Sequence, residues 1–238
     1  MKIAIITQAR MSSTRLPGKV MLKINHKTLL EYHIERAQKS DIPIIVATSL
    51  DQQDGAIIQL CNNMSVPVFR GSLYNVLSRF YHCAKKYKLN TIIRITSDCP
   101  LIDGELIAQG LIQFNKLGAD YLSNTVERTF PRGFDFEIFT IDALTKAYKN
   151  ATLDFQKEHV TPYIWQNKQK QFTIHAFTQK RVAANFRLTV DTPEDFQAVA
   201  ELIEKYRADT KNVNEIISIL DTHPEIVQIN AHIEQKKI

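Results

Sequence analysis

The segment from Ile3 to Lys19, IAIITQARMSSTRLPGK, sets a short apolar run of strand formers directly before a loop carrying three cations. Ile3 to Ile6 reads as a buried strand of a parallel sheet. In such sheets ligands bind where loops leave the carboxyl ends of the strands, so Arg10, Arg15 and Lys19 fall at the mouth of a site. Guanidinium groups bond phosphate oxygens in pairs, and lysine adds a mobile point charge. Ser12, Ser13, Thr14 and the amides of a tight loop complete an anion cradle. The stretch from Ala9 to Lys19 therefore asks for a polyphosphate.

Two common phosphate motifs are excluded by spacing. A Walker loop needs a glycine five residues before its Gly-Lys pair and Ser or Thr after it; those places hold Ser13 and Val20. No two of the seven glycines stand in the GxG spacing of a dinucleotide fingerprint.

Outward from the loop, periodicity alternates between strand and helix. Leu29 to Ala37 repeats apolar residues at helical spacing, and Pro43 to Thr48 reads as a second buried strand. Helix over Ala56 to Met64, strand over Val66 to Phe69, helix over Tyr74 to Tyr87, strand over Thr91 to Ile95 and helix over Asp103 to Leu117 follow. This order implies a parallel sheet covered on both faces. From Asp120 to Phe139 the pattern becomes extended around Pro131-Arg132-Gly133. Leu144 to Gln166 reads as largely helical, Phe172 to Phe177 and Leu188 to Val190 as strands, and Phe196 to Tyr206 and Val213 to Leu220 as closing helices.

With 238 residues and 44% hydrophobic content the chain can bury one full α/β core, read as a single domain over 1–238. The start is too short and too soon charged for a signal peptide, and no apolar run approaches the roughly 18 residues of a membrane span. A cytoplasmic, membrane-free protein is expected, which suits three cysteines without a CxxC pair. The net charge of +5 is concentrated: residues 1–39 carry eight Lys or Arg against Glu31 and Glu35, leaving the remaining 199 residues near minus one. A basic excess at one end suits a local anion site rather than nucleic acid.

Two aspartates lie where a metal would be needed. Asp98 follows the fourth strand and so shares the carboxyl edge with Arg10 and Lys19; taken alone it also reads as a turn residue before Pro100. In LTVDTPED, Leu188 to Asp195, Thr192 is an N-cap with Pro193 at the first helical position and Asp195 three residues after the cap, a capping box. Capping is thus assigned without Asp191, whose carboxylate is expected to be free at the end of a strand. Mg²⁺ prefers one or two carboxylates completed by phosphate oxygens and water.

ARMSSTRLPGK, together with Arg94 to Ile102 (RITSDCPLI), Asp120 to Glu137 (DYLSNTVERTFPRGFDFE), Glu158 to Tyr163 (EHVTPY) and LTVDTPED, resembles the cytidylyltransferases that activate acidic sugars. The likeness is strongest to the spore-coat polysaccharide biosynthesis protein F family and runs in family order over nearly the whole chain. It implies a Rossmann-like three-layer α/β/α nucleotidyltransferase fold of the nucleotide-diphospho-sugar transferase type, with a mostly parallel sheet. It also implies transfer of CMP from CTP to the anomeric hydroxyl of an acidic sugar. On that resemblance Ala9, Arg10, Ser12, Ser13, Arg15, Lys19 and Ser97 bind the nucleotide, with Arg10, Lys19 and Asp98 at the chemistry, and Asp98 and Asp191 hold Mg²⁺. Asn124, Arg128, Arg132, Asp135, Glu137 and His159 are candidates for the sugar. His159 also reads as a helix cap, and Arg132 as part of a Pro-Arg-Gly turn. A homodimer is expected, with 120–177 as the substrate-binding and dimerisation subregion and Tyr163 and Trp165 as exposed aromatics. The alternative enzyme is a glycosyltransferase with its metal on Asp135 and Glu137; a nucleotide-binding regulator would have little use for two strand-end aspartates.

Overall fold

The computed structural model describes residues 2–234. Its first half builds β1 (Ile3–Gln8), the short hairpin β2 (Lys23–Ile24) and β3 (Lys27–Thr28), α1 (Leu29–Gln38), β4 (Ile44–Ser49), α2 (Gly55–Asn63), β5 (Val68–Gly71), α3 (Val76–Tyr87), β6 (Thr91–Thr96) and α4 (Gly104–Leu117). Then come β7 (Tyr121–Ser123), β8 (Glu137–Thr140), α5 (Ile141–Asn150), α6 (Asp154–His159), α7 (Pro162–Gln166), β9 (Ile174–Ala176), α8 (Pro193–Tyr206), α9 (Val213–Thr222) and α10 (Pro224–Asn230).

Apart from the β2–β3 hairpin, the strands form a seven-stranded sheet in the order β5-β4-β1-β6-β8-β7-β9. β8 runs against both β6 and β7, and the other pairings are parallel, so six strands point one way. The chain winds from β1 outward to β4 and β5, then returns to place β6 on the other side of β1. That reversal opens a crevice at the carboxyl end of β1, the usual ligand position in such sheets.

The alternation of β1 shows why both faces are covered. Ile5 belongs to the core that takes in side chains of α1, α2, α4, α8, α9 and α10, whereas Ala4 and Ile6 belong to the one that takes in side chains of α3, α5 and α7. Local signals fix the helix starts: Thr28 and Glu31 close a capping box on α1, Asn75 caps α3, and Asp103 caps α4 while its second oxygen accepts from Val213 N at 2.8 Å. The 120–177 segment does not stand apart, because β7, β8 and β9 extend the same sheet.

Three expectations need correction. Leu144 to Gln166 is divided into three helices: Ala151 and Leu153 are extended between α5 and α6, and Val160 takes φ 72° before Pro162 opens α7. A β-branched residue in the left-handed region breaks a helix outright. Leu188 to Val190 is extended but joins no ladder, since Leu188 N donates to Arg132 O and Val190 N to Asp98 O, each at 2.8 Å, on two separate loops. Tyr163 is half-buried and packs on Phe172, leaving Trp165 the more exposed of the two aromatics at 38%.

Gly110 on α4 is required by its neighbour: a Cβ there would lie 2.5 Å from the Phe136 ring, inside a core with no room to yield. Gly110→Ala is expected to lower unfolding stability by about 1–3 kcal/mol through overpacking, read as a shift of the urea midpoint at unchanged slope.

Candidate active site

The loop after β1 is shaped by its own backbone. Met11 O accepts from Ser13 N and Gly18 N, both at 2.9 Å, and Gly18 takes φ 67°, a left-handed turn that glycine makes without strain. Met11 N donates to Asp54 Oδ1 at 2.8 Å, while Asp54 Oδ2 accepts from the Thr48 hydroxyl and from the amide and hydroxyl of Ser49. Asp54 thus moors the loop to the end of β4. Ala9 and Ser97 carry the ladder past the strand ends, with Ala9 N bonded to Ala47 O and Ser97 N to Gln8 O.

This folding-back delivers Lys19 to a point between two loops. Its ammonium donates to Asp98 Oδ2 at 3.1 Å, Asp191 Oδ1 at 2.8 Å and Val190 O at 2.8 Å. Burial opposes its charge, yet the two carboxylates outweigh burial and raise its pKa above the ordinary value. Burial likewise works to raise Asp98, but the Lys19 charge and bonds from Thr96, Lys19 and Cys99 hold its pKa down to about 2.

The Asp191 carboxylate is not free, contrary to the sequence expectation. Arg15 reaches its Oδ2 at 2.9 Å and Arg187 the same oxygen at 3.1 Å, while Lys19 holds Oδ1. Arg187 also forks onto Asp195 through Nε and Nη2, at 2.8 and 3.0 Å. Asp195, fully buried, accepts further from the amides of Asp191 and Thr192 and from Asn230 Nδ2. The acid read as a capping residue is therefore also the anchor of the Asp191 segment. Arg187 and Asn230 had no signal in the sequence, because they lie eight and 35 residues from Asp195, the carboxylate they share.

A second polar group crosses the other face of the sheet. Arg94 bonds Gln8 Oε1 at 3.2 Å and pairs with Glu137, whose carboxylate also receives the hydroxyls of Tyr121 and Thr161. His159 stands beside this group; burial and the Arg94 charge lower its pKa. Arg128 grips both oxygens of Asp135 at 2.7 and 2.9 Å. Gly133, at φ 105°, brings the turn against Leu188, where a Cβ would meet backbone at 2.7 Å.

Two of the expected sugar contacts are corrected by this geometry. Asn124 is fully buried, with Nδ2 on Phe134 O and Oδ1 on Phe136 N, so its amide braces the loop instead of facing a ligand. Glu137 is enclosed by the three partners named, and neither it nor Asp135 faces an open site alone. That also removes the support for a metal on this DxE pair, and among the described residues no group of three or more His, Cys, Asp or Glu converges on a metal position. Arg132 lies near the Arg128–Asp135 pair, and His159 lies near Arg94 and Glu137.

A sheet with its switch point at β1, and cations and paired aspartates at its carboxyl edge, defines an α/β nucleotidyltransferase fold. The chain belongs to the cytidylyltransferase family, whose model matches residues 4–238. It is 42% identical over 99% of its length to an uncharacterised protein of Methanocaldococcus jannaschii, covering 97% of that protein. It is 32% identical over 94% of its length to the spore coat polysaccharide biosynthesis protein SpsF of Bacillus subtilis, covering 95% of it. A solved cytidylyltransferase from Leptospira borgpetersenii superposes with TM-score 0.91 at 33% identity, covering all of this chain and 99% of that one. Among the described residues no helix is long and apolar enough to cross a membrane.

His33, also missed in the sequence, locks the two central loops together. Fully buried on α1, it joins Thr7 of β1 to the carbonyl of Cys99, beside Asp98, with bonds of 2.8 and 2.9 Å. The neutral ring suits both: Nδ1–H donates to Cys99 O and Nε2 accepts from the Thr7 hydroxyl. Burial lowers its pKa from 6.5 to about 4. The folded state therefore resists a proton that the unfolded chain accepts, so stability is full above about pH 6.5 and falls as pH drops toward 4, by roughly 3 kcal/mol at most. In His33→Gln, urea melts are expected to show a smaller loss of stability between pH 7 and pH 5 than the parent; an equal loss contradicts this assignment.

Proposed function

We propose that the protein transfers CMP from CTP to the anomeric hydroxyl of an acidic sugar, releasing pyrophosphate, as a step toward a cell-surface polysaccharide. The observation that carries this reading is the convergence of Asp98 and Asp191 on one cation at the end of the polyphosphate loop. Family membership and the likeness to the Bacillus spore-coat protein support the nucleotide and the polysaccharide context.

Arg10, Arg15 and Lys19 take the triphosphate, and Arg15 and Lys19 exchange their present carboxylate partners for phosphate oxygens as it enters. The donor set left behind fits Mg²⁺: two hard carboxylate oxygens already gathered around a single positive centre, with phosphate and water to complete the shell. Bound there by Asp98 and Asp191, the ion would neutralise charge developing on the α-phosphate and the departing pyrophosphate. Arg187 and Asp195 keep Asp191 pointed at that centre. The acceptor lies on the β8 and β7 side, where His159 and the Arg128–Asp135 pair offer directed contacts to hydroxyls. The Arg132 guanidinium, which makes no side-chain hydrogen bond among the described residues, is the acceptor-side cation for a carboxylate. The sugar hydroxyl oxygen attacks the α-phosphorus as the bond to the α,β-bridging oxygen breaks, its proton passing to water and the electron pair leaving with pyrophosphate, so the protein chiefly positions and neutralises. A homodimer through 120–177, with the exposed Trp165, accompanies this reading.

Incubation with CTP, Mg²⁺ and a panel of keto-sugar acids should release pyrophosphate. Asp98→Asn and Asp191→Asn are each expected to lower kcat/KM by at least about 100-fold, since each removes a fixed charge acting on the transition state. Turnover of a nucleotide-sugar with no pyrophosphate from any acid would overturn the proposal in favour of a glycosyltransferase.

A further inference from the structure

Four of the six residues that line one cavity of the structure are glutamines. The cavity, about 100 Å³, lies among α6, α7 and the loop 167–171, against Gln156, Tyr163, Gln166, Lys168, Gln169 and Gln171. It offers several times the room that one water needs. The loop leads into β9, which runs parallel to β7, so it lies at the amino edge of the sheet. Lys19, Asp98 and Asp191 stand at the opposite, carboxyl edge.

The amide chemistry of this cavity is incomplete. Gln156 is 6% exposed, and its Oε1 accepts from the amides of Thr152 and Leu153 at the start of α6, both at 3.2 Å. Its Nε2 is thereby turned the other way and has no hydrogen-bond partner among the described residues. Neighbouring atoms do not seal that nitrogen, so it opens on the cavity that Gln156 lines. Gln166 is the converse, an acceptor oxygen enclosed without a donor. Gln171 Nε2 donates to the Tyr163 hydroxyl at 3.1 Å, which adds a phenol oxygen to the same polar wall. A donor and an acceptor therefore line one cavity without bonding each other. An unmade bond on a buried polar group costs about 1–3 kcal/mol, and a hydroxyl removes both deficits by accepting from Nε2 and donating to Oε1. The last torsion of a glutamine is broad, so the Gln166 amide meets such a group by turning in place beside the open space.

We propose that this cavity is a sugar-binding subsite separate from the crevice, taking adjacent hydroxyls of a pyranose ring. Glutamine suits the task because one amide carries both a donor and an acceptor, as each sugar hydroxyl does. Gln156 and Gln166 take one hydroxyl between them, and the Tyr163 and Gln171 pair takes its neighbour. A glycan is then held at one edge of the sheet while the crevice at the other stays open to its own ligands.

Methyl β-D-glucopyranoside is the probe, its anomeric oxygen blocked so that it cannot serve as an acceptor in the crevice. Titrated into the isotope-labelled full chain, it should shift the side-chain amide signals of Gln156 and Gln166 saturably. Gln156→Glu keeps the oxygen that accepts from Thr152 and Leu153 and deletes only the donor, and it should weaken the glycoside at least about 10-fold. Gln166→Leu should weaken it as much. Gln166→Glu restores an acceptor and should bind within about 3-fold of the parent. CTP with Mg²⁺ should bind the three variants within about 2-fold of the parent, since cavity and crevice lie at opposite edges. Amides unshifted up to about 100 mM glycoside, far above the millimolar range of a weak site, would show that water alone fills the cavity and would overturn the proposal. Shifts that persist unchanged in Gln156→Glu and Gln166→Leu would overturn it too, because the glycoside would then sit elsewhere.

Discussion

The Lys19 ammonium, shared among Asp98, Asp191 and Val190 O, is the interaction on which the rest of the site depends. It joins three segments that no ladder connects: the loop after β1, the turn after β6 and the extended run before α8. Two carboxylates brought this close repel one another unless a cation stands between them, so the arrangement is bistable in composition rather than in shape. Lysine holds that place here, and on the proposed function a metal with its phosphates would take it over while lysine followed the phosphates. The same charge that keeps Asp98 ionised far into acid thus keeps the site assembled before its ligand arrives.

Around that point the structure uses buried polar anchors, each completely bonded. Asp54 moors the cationic loop, His33 ties β1 to the turn bearing Asp98, and Asp195 with Arg187 and Asn230 fixes the approach of Asp191. Full satisfaction matters, since a half-bonded polar network in a core costs more than an apolar one. Arg94 and Glu137 do the same across the opposite face, beneath His159. Arg79 departs from this rule, with its Nε and Nη1 buried without a hydrogen-bond acceptor.

Most of the sheet was legible from periodicity, because the strands on either side of β1 are continuous apolar runs bounded by capped helices. The tight cationic loop after β1, the turn bearing Asp98 and the capping box at Thr192 were legible too, since each is a local pattern with a local physical reason. The segments that misled are those whose bonds are distant. Leu188 to Val190 has strand composition but divides its hydrogen bonds between Arg132 and Asp98, and the single helix expected over Leu144 to Gln166 gives way where Val160 turns left-handed against the α3 face. Asn124 and Glu137 had the chemistry of sugar ligands and were claimed by the core instead.

By itself the sequence determined the alternation of strand and helix, the place of the cationic loop at the end of the first strand, and the position of Asp98 after the fourth, because periodicity, loop chemistry and capping act over a few residues. Only the tertiary structure decided which acids are open to a ligand and which are consumed by partners. It alone placed Arg187 and Asp195 behind Asp191 and His33 behind Asp98. Those outcomes depend on which side chains meet across separations of up to 172 residues, a matter settled by packing and charge compensation in three dimensions and carried by no local pattern.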